Sequence, residues 1–254
     1  MTTENTKSDS TKKMSRLSID APRMEVGGTF ELSEKQHHYV RNVMRLEVGG
    51  QLRAFNGVDG EWLAEVSELT KKKGIISFVE QLREQTEVPE VFMYCSPVKK
   101  EVFEFIVEKA CELGVKSFHP VLCDHTSVHK VNEDRLNLIA VEASEQSERM
   151  EVMAITPPAH LKSVLESWDK GHKLILCLER QDLPSMVYAL IEQEIRTPIS
   201  ILVGPEGGFS DAEVAYMTGL DFVVPVSLGA NVLRTETAMI SALLCLQVIG
   251  IKTV

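Results

Sequence analysis

Apolar and polar positions fall into two rhythms along the chain. From Arg16 to about Gln85 the apolar runs are short and half-alternating, as in QLRAFNG (51–57), EWLAEVSEL (61–69) and GIISFVEQL (74–82). Glycine-containing turns separate them at Gly49-Gly50, Gly57 to Gly60 and Gly74. Period-two segments bounded by such turns predict strands, so this part reads as a small β-rich domain. One helix interrupts it over SEKQHHYVRNVMRL (33–46), where Ser33 with Gln36 forms a capping box and Val40, Val43, Met44 and Leu46 supply an apolar side.

After the charged link REQTEVPE (83–90) the rhythm changes to alternating strands and helices. VFMYCSPV (91–98) reads as a strand, KKEVFEFIVEKACELG (99–114) as a helix stopped by Gly114, and VKSFHPVLC (115–123) as the next strand. Asn132 caps EDRLNLIAVEASEQSER (133–149); KLILCLE (173–179) and ISILVG (199–204) are strands flanking the helix SMVYALIEQEI (185–195). Such alternation predicts a mainly parallel sheet with helices on both faces, and ligands of such sheets bind at the carboxyl ends of the strands. The resulting division is a tail over 1–14, a β-rich domain over 15–85 and an α/β domain over 90–254.

Two loops at strand ends carry the candidate chemistry. In ILVGPEGGFSDAE (201–213) a strand runs into Gly-Pro-Glu-Gly-Gly, and Ser210 with Glu213 forms a second capping box, so a helix starts at once. Pro205 fixes φ, while Gly207 and Gly208 allow conformations and close approaches that a side chain forbids. The turn lacks the Gly-Lys-Ser/Thr of a phosphate loop, and Glu206 repels phosphate; a polar, cationic or zwitterionic ligand suits it better. In SLGANVLRTETAM (227–239) a second glycine-containing loop follows the strand FVVPV (222–226), with Thr235 or Thr237 as a candidate cap. Arg234 and Glu236 stand at the mouth of an otherwise apolar segment, either as an ion pair closing the helix start or as charges facing a site.

Composition narrows the function classes. The chain has 254 residues, 44% of them hydrophobic, enough to bury a core, and no apolar run near the length of a membrane span. The polar start, MTTENTKSDSTKKMS, lacks the apolar centre of a signal peptide, which predicts a cytoplasmic protein. The five cysteines are widely spaced in apolar segments, so buried reduced thiols are expected rather than disulfides or a metal site. His125 and His129 have helical spacing, but no carboxylate or cysteine motif completes a ligand set, and no metal is expected. The net charge, 27 − 37 = −10, argues against indiscriminate coating of nucleic acid while allowing a local basic face. Arg16, Arg23, His38, Arg41 and Arg45 are the candidate phosphate-facing set in the N-terminal part, Arg41 and Arg45 lying one turn apart on the expected helix. Lys99 and Lys100 are weaker candidates.

ILVGPEGGFSDAE and LGANVLRTETA, together with EKACELGV (108–115), EASEQSER (142–149) and YVRNVMRL (39–46), resemble the RsmE family of 16S rRNA uridine-N3 methyltransferases, within the SPOUT superfamily. The resemblance extends from Arg16 over nearly the whole chain. It implies an N-terminal PUA-like β-barrel domain that binds RNA, and a C-terminal SPOUT α/β domain with a deep trefoil knot. It further implies methyl transfer from S-adenosylmethionine (SAM), leaving S-adenosylhomocysteine, to N3 of one uridine in assembled small subunits by a homodimer. Carried over, the SAM pocket falls on Leu176, Cys177 and Leu178, on Val203, Gly204, Pro205, Glu206, Gly207 and Gly208, and on Leu228, Gly229, Val232, Leu233 and Arg234. Arg234 and Glu236 are the expected catalytic pair. Ala230-Asn231 replaces a Pro-Arg common in the family, and Glu148 replaces a glycine that often precedes the arginine matching Arg149. A methyltransferase acting on another RNA site or base, and a non-catalytic RNA-binding protein, are the alternative readings; the latter has no need of the two loops.

Overall fold

A computed structural model describes residues 14–251. The chain divides into two compact units: residues up to Glu87 with Ser144–Val152, and Val88–Ala143 with residues from Met153 onward. The tail expected over 1–14 lies outside the described residues except for Met14. The segment Ser144–Val152 belongs to the first unit, although the sequence rhythm assigned it to the second.

The first unit is built on a five-stranded sheet of β1 (Arg16–Ser18), β2 (Thr29–Glu31), β3 (Gln51–Phe55), β4 (Glu61–Leu69) and β5 (Gly74–Arg83). Its order is β1-β3-β4-β5-β2, with β1 parallel to β3 and the other neighbours antiparallel. β1 and β2 are its two edges, so ladder bonding among the described residues does not close a ring. Alternate strand positions bury Leu52, Ala54, Val66, Ile76 and Phe78, and the edge of Trp62 meets Phe78 with ring centroids 6.3 Å apart.

The expected helix over 33–46 is shorter and changes pitch. Helix α1 (Glu34–His38) starts from the capping box, with Ser33 Oγ accepting from Gln36 N at 3.3 Å and Gln36 Oε1 accepting from Ser33 N at 3.0 Å. A π-helical turn follows over Tyr39–Val43, closed by Met44 N donating to Tyr39 O at 2.9 Å. Arg45 then adopts φ 56°, outside any helix. Arg41 and Arg45 therefore do not share a helical face.

The second unit carries a parallel sheet of β6 (Val91–Cys95), β7 (Ser117–Leu122), β8 (Ala154–Ile155), β9 (Ala159–His160), β10 (Lys173–Cys177), β11 (Ile199–Val203) and β12 (Val223–Val226). The order is β12-β10-β11-β6-β7-β8, with β9 also on β7. Between the strands run α2 (Lys100–Glu112), α3 (Glu133–Gln146), α4 (Leu161–Glu166), α5 (Met186–Glu192) and α6 (Asp211–Thr218), and α7 (Thr235–Val248) follows β12. Every residue of β11 is buried, as a central strand covered on both faces requires. Gly114 stops α2 at φ 82°, where Val115 N returns to Ala110 O at 3.0 Å, and Asn132 Oδ1 accepts from Arg135 N at 3.1 Å at the start of α3. α7 packs against α2, α5 and β11.

Candidate active site

The carboxyl ends of β10, β11 and the loop after β12 converge on a cavity of about 360 Å³. Its floor is the Gly-Pro-Glu-Gly-Gly turn, held in one shape by bonds from three directions. Gly208 takes φ 71° and its N–H returns to Pro205 O at 2.9 Å, closing the turn. Ser210 caps α6, accepting from Glu213 N at 3.2 Å, while Glu213 Oε2 accepts from Ser210 N at 2.9 Å. Thr235 Oγ1 donates to Gly204 O at 3.3 Å.

The loop after β7 supplies the remaining fastening. Ser210 Oγ lies 2.6 Å from Asp124 Oδ2, and Asp124 N donates to Glu213 Oε1 at 2.8 Å. His125 Nδ1 lies 3.2 Å from Gly207 O; because a carbonyl only accepts, Nδ1 carries the proton. A Cβ on Gly204 would stand 2.9 Å from the Phe209 ring, and one on Gly207 would stand 3.1 Å from His125 Cβ. Side chains at Gly204 and Gly207 would crowd Phe209 and His125, and Gly208 uses its positive φ.

Ten of the expected pocket residues line the cavity: Cys177, Leu178, Val203, Gly204, Pro205, Gly207, Gly208, Leu228, Gly229 and Leu233. Leu176 does not. It is fully buried and belongs to one core cluster with Leu202 and Val121. Glu206 and Val232 are exposed and outside the wall. Arg234 is also exposed and outside the wall, at the N-cap of α7 without a side-chain capping bond. Glu236 sits half-buried in the first turn of α7, and no Arg234–Glu236 ion pair is present among the described residues. Neither Thr235 nor Thr237 caps the helix, since the Thr235 hydroxyl is directed to Gly204.

The sequence reading missed Glu179, Arg180, Gln181, Phe209, Asp211, Val214, Asn231, Thr235 and Ala238 in the wall. Asn231 and Thr235 adjoin the motif, whereas Glu179 to Gln181 follow β10 with no pattern to mark them. Cys177 lines the cavity, and burial pushes its thiol up to about 12, which keeps it protonated at neutral pH. Among the described residues no group of His, Cys, Asp or Glu is arranged to hold a metal, and no helix is long and apolar enough to cross a membrane.

In the first unit Arg16 is not a surface cation. It is 5% exposed, its Nε bonds Glu61 at 2.5 Å, and its remaining N–H groups meet the carbonyls of Ser144, Glu145 and Arg149. Glu61, 1% exposed, also pairs with Arg53 at 3.5 Å and Arg83 at 2.9 Å. A buried carboxylate needs such partners, and they consume the arginine. Arg23 is exposed beside Glu25, His38 and Arg45 are exposed, and half-buried Arg41 donates to Thr70 O at 2.8 Å. Glu148 holds φ 62° where glycine would be at ease, and its carboxylate accepts from Arg53 at 2.9 Å; that bond holds its pKa below the usual range.

A parallel sheet with a glycine-walled pocket at its carboxyl ends, in a chain with a separate β-rich unit, defines a class. Residues 84–247 match the RNA methyltransferase domain, and residues 32–79 match the RNA methyltransferase PUA domain. The chain belongs to the ribosomal RNA small subunit methyltransferase E family. It is 31% identical to the protein of that name from Rickettsia conorii over 94% of this chain and 97% of that one, and 31% identical to the one from Synechocystis over 93% and 78%. Among solved structures it resembles a methyltransferase from Legionella pneumophila in complex with SAM (TM-score 0.81, 29% identity, 93% and 98% covered). It also resembles ribosomal RNA small subunit methyltransferase E from Neisseria gonorrhoeae bound to SAM (TM-score 0.79, 26% identity, 93% and 98% covered).

Proposed function

We propose that this chain transfers a methyl group from SAM to N3 of one uridine in 16S rRNA, acting on assembled small subunits in the cytoplasm as a homodimer. The observation that carries the reading is the cavity between the 204–208 turn and the 228–233 loop. At about 360 Å³ it is in the range of small-molecule pockets, and its glycines leave backbone groups open beside aliphatic side chains, which fits an adenosine. The cofactor, when bound, supplies an activated methyl with its own leaving group, so the chain's residues need only orient and neutralise.

Leu178, Val203, Leu228 and Leu233 would hold the adenosine. Arg234, exposed at the mouth of α7, would meet the negative charge that spreads to the uracil carbonyl oxygens as N3 loses its proton. Glu236, one residue past Thr235, would help move that proton. Because N3 is a Watson–Crick edge atom, the uridine must be unpaired or flipped before reaction. Arg23, His38, Arg41 and Arg45 would face phosphates, and the net charge of −10 would limit binding to indifferent RNA.

Two features support the finer fold and assembly. β11 sits between β6 and β10, which both precede it in the chain, and α7 then packs on β11; this arrangement supports the threaded, knotted path expected of the family. Tyr188 and Ile191 on α5, with Leu244 and Val248 on α7, expose apolar side chains on two helices in contact, which supports a dimer surface there. The test is transfer of labelled methyl from SAM to small subunits lacking the modification, with the nucleoside identified by mass. N3-methyluridine at one position is expected; SAM binding without any methylated uridine would overturn the substrate assignment.

A further inference from the structure

Two charged side chains in the cavity wall belong to no motif. Glu179 and Arg180 follow Leu178 at the carboxyl end of β10, and both line the cavity. Both are exposed, and among the described residues neither makes a hydrogen bond or ion pair. Arg180 holds φ 56°, a left-handed conformation that a residue with a side chain adopts rarely and that clusters at ligand sites. Glu179 Oε1 lies 3.8 Å from where a Cβ on Gly208 would stand, so its carboxylate faces the side-chain-free surface of the turn. The other carboxylate in the wall, Asp211, is the first residue of α6, where a helix start already favours negative charge.

At the end of β10 the wall thus presents an anion and a cation in succession, unpaired with each other. That arrangement complements a ligand bearing an ammonium and a carboxylate on the same carbon. A guanidinium fork matches a carboxylate in two parallel bonds, and an ammonium directs its donors to a carboxylate. We infer that Glu179 and Arg180 form the subsite for the amino-acid end of the cofactor, with the ammonium on Glu179 and the carboxylate on Arg180. The inference rests on the SAM reading above and adds to it the residues that tell SAM from a bare adenosine thioether.

Calorimetry on the full chain with S-adenosylhomocysteine and with methylthioadenosine separates the two. Methylthioadenosine keeps the adenosine and sulfur but lacks the amino-acid end. Arg180→Ala and Glu179→Gln should each weaken S-adenosylhomocysteine by about tenfold or more and leave methylthioadenosine within about twofold. Arg180→Gly, which relieves the left-handed backbone, should behave as Arg180→Ala does. Retained methylthioadenosine binding shows that each variant is folded. Parallel weakening of both ligands, or unchanged S-adenosylhomocysteine binding in either variant, overturns the subsite while leaving the cofactor reading intact. Failure of the unaltered protein to bind either ligand overturns the cofactor reading and the subsite with it.

Discussion

Thr235 Oγ1 donates to the Gly204 carbonyl oxygen at 3.3 Å, joining the first residue of α7 to the turn after β11. Two strand-end loops that are remote in sequence are thereby held at one spacing. Thr235→Val keeps the shape and removes the donor, at a cost of about 1–2 kcal/mol where the carbonyl finds no substitute. SAM affinity measured by calorimetry should fall several-fold in Thr235→Val and recover in Thr235→Ser.

Gly204→Ala should weaken SAM by about tenfold or more, since the new Cβ meets the Phe209 ring at 2.9 Å and the ring lines the same cavity. Adding Phe209→Leu should restore part of the loss. Equal affinities of the single and double variants would show that the ring is not what the methyl displaces.

Arg234→Ala should lower the methyl-transfer rate by about a hundredfold or more, the scale of removing one charge-stabilising donor. Its SAM affinity should stay within about twofold, because Arg234 lies outside the cavity wall. A matched fall in affinity and rate would move the arginine from the reaction to the binding of the cofactor.

Arg16 and Glu61 should prove structural. Glu61→Gln leaves three arginines facing a neutral group in a buried place and should destabilise the first unit by about 3–5 kcal/mol in denaturant unfolding. Arg16→Ala should lower stability as well. Arg23→Ala and Arg45→Ala should leave unfolding unchanged and each reduce the salt dependence of RNA binding by about one phosphate contact.

His119 gives the fold a pH dependence. Burial against Tyr94, whose ring stacks on it with centroids 4.4 Å apart, pushes His119 down to about 4, and its Nδ1 lies 3.1 Å from Thr156 Oγ1. The unfolded chain takes up its proton near the ordinary value of about 6.5, so this contribution is complete above that pH and is lost as pH falls toward 4. Between those values His119→Gln should show a shallower fall of Tm with acid than the unaltered chain.

What could be read in the sequence was local. The capping boxes at Ser33 with Gln36 and Ser210 with Glu213 depend on residues three apart and form as expected. The ten cavity residues are implied by the family resemblance of the loop motifs. Arg16 was misjudged because its partners lie 45 and 128 or more residues away, and nothing near Arg16 signals them. The expected helical pairing of Arg41 with Arg45 fails because the helix widens to a π turn and ends before Arg45. Glu179 and Arg180 went unseen because a charged pair after a strand has no pattern of its own; only the cavity gives it meaning.

The central place of β11 sets a schedule for synthesis. β6 and β10 leave the ribosome before the strand that must lie between them, and the loop after β12 arrives later still. A nascent chain that has emerged only through β10 has neither the glycine turn nor the clasp from α7, so it is blind to its cofactor. Cofactor binding thus waits on α7, whose Thr235 completes the clasp.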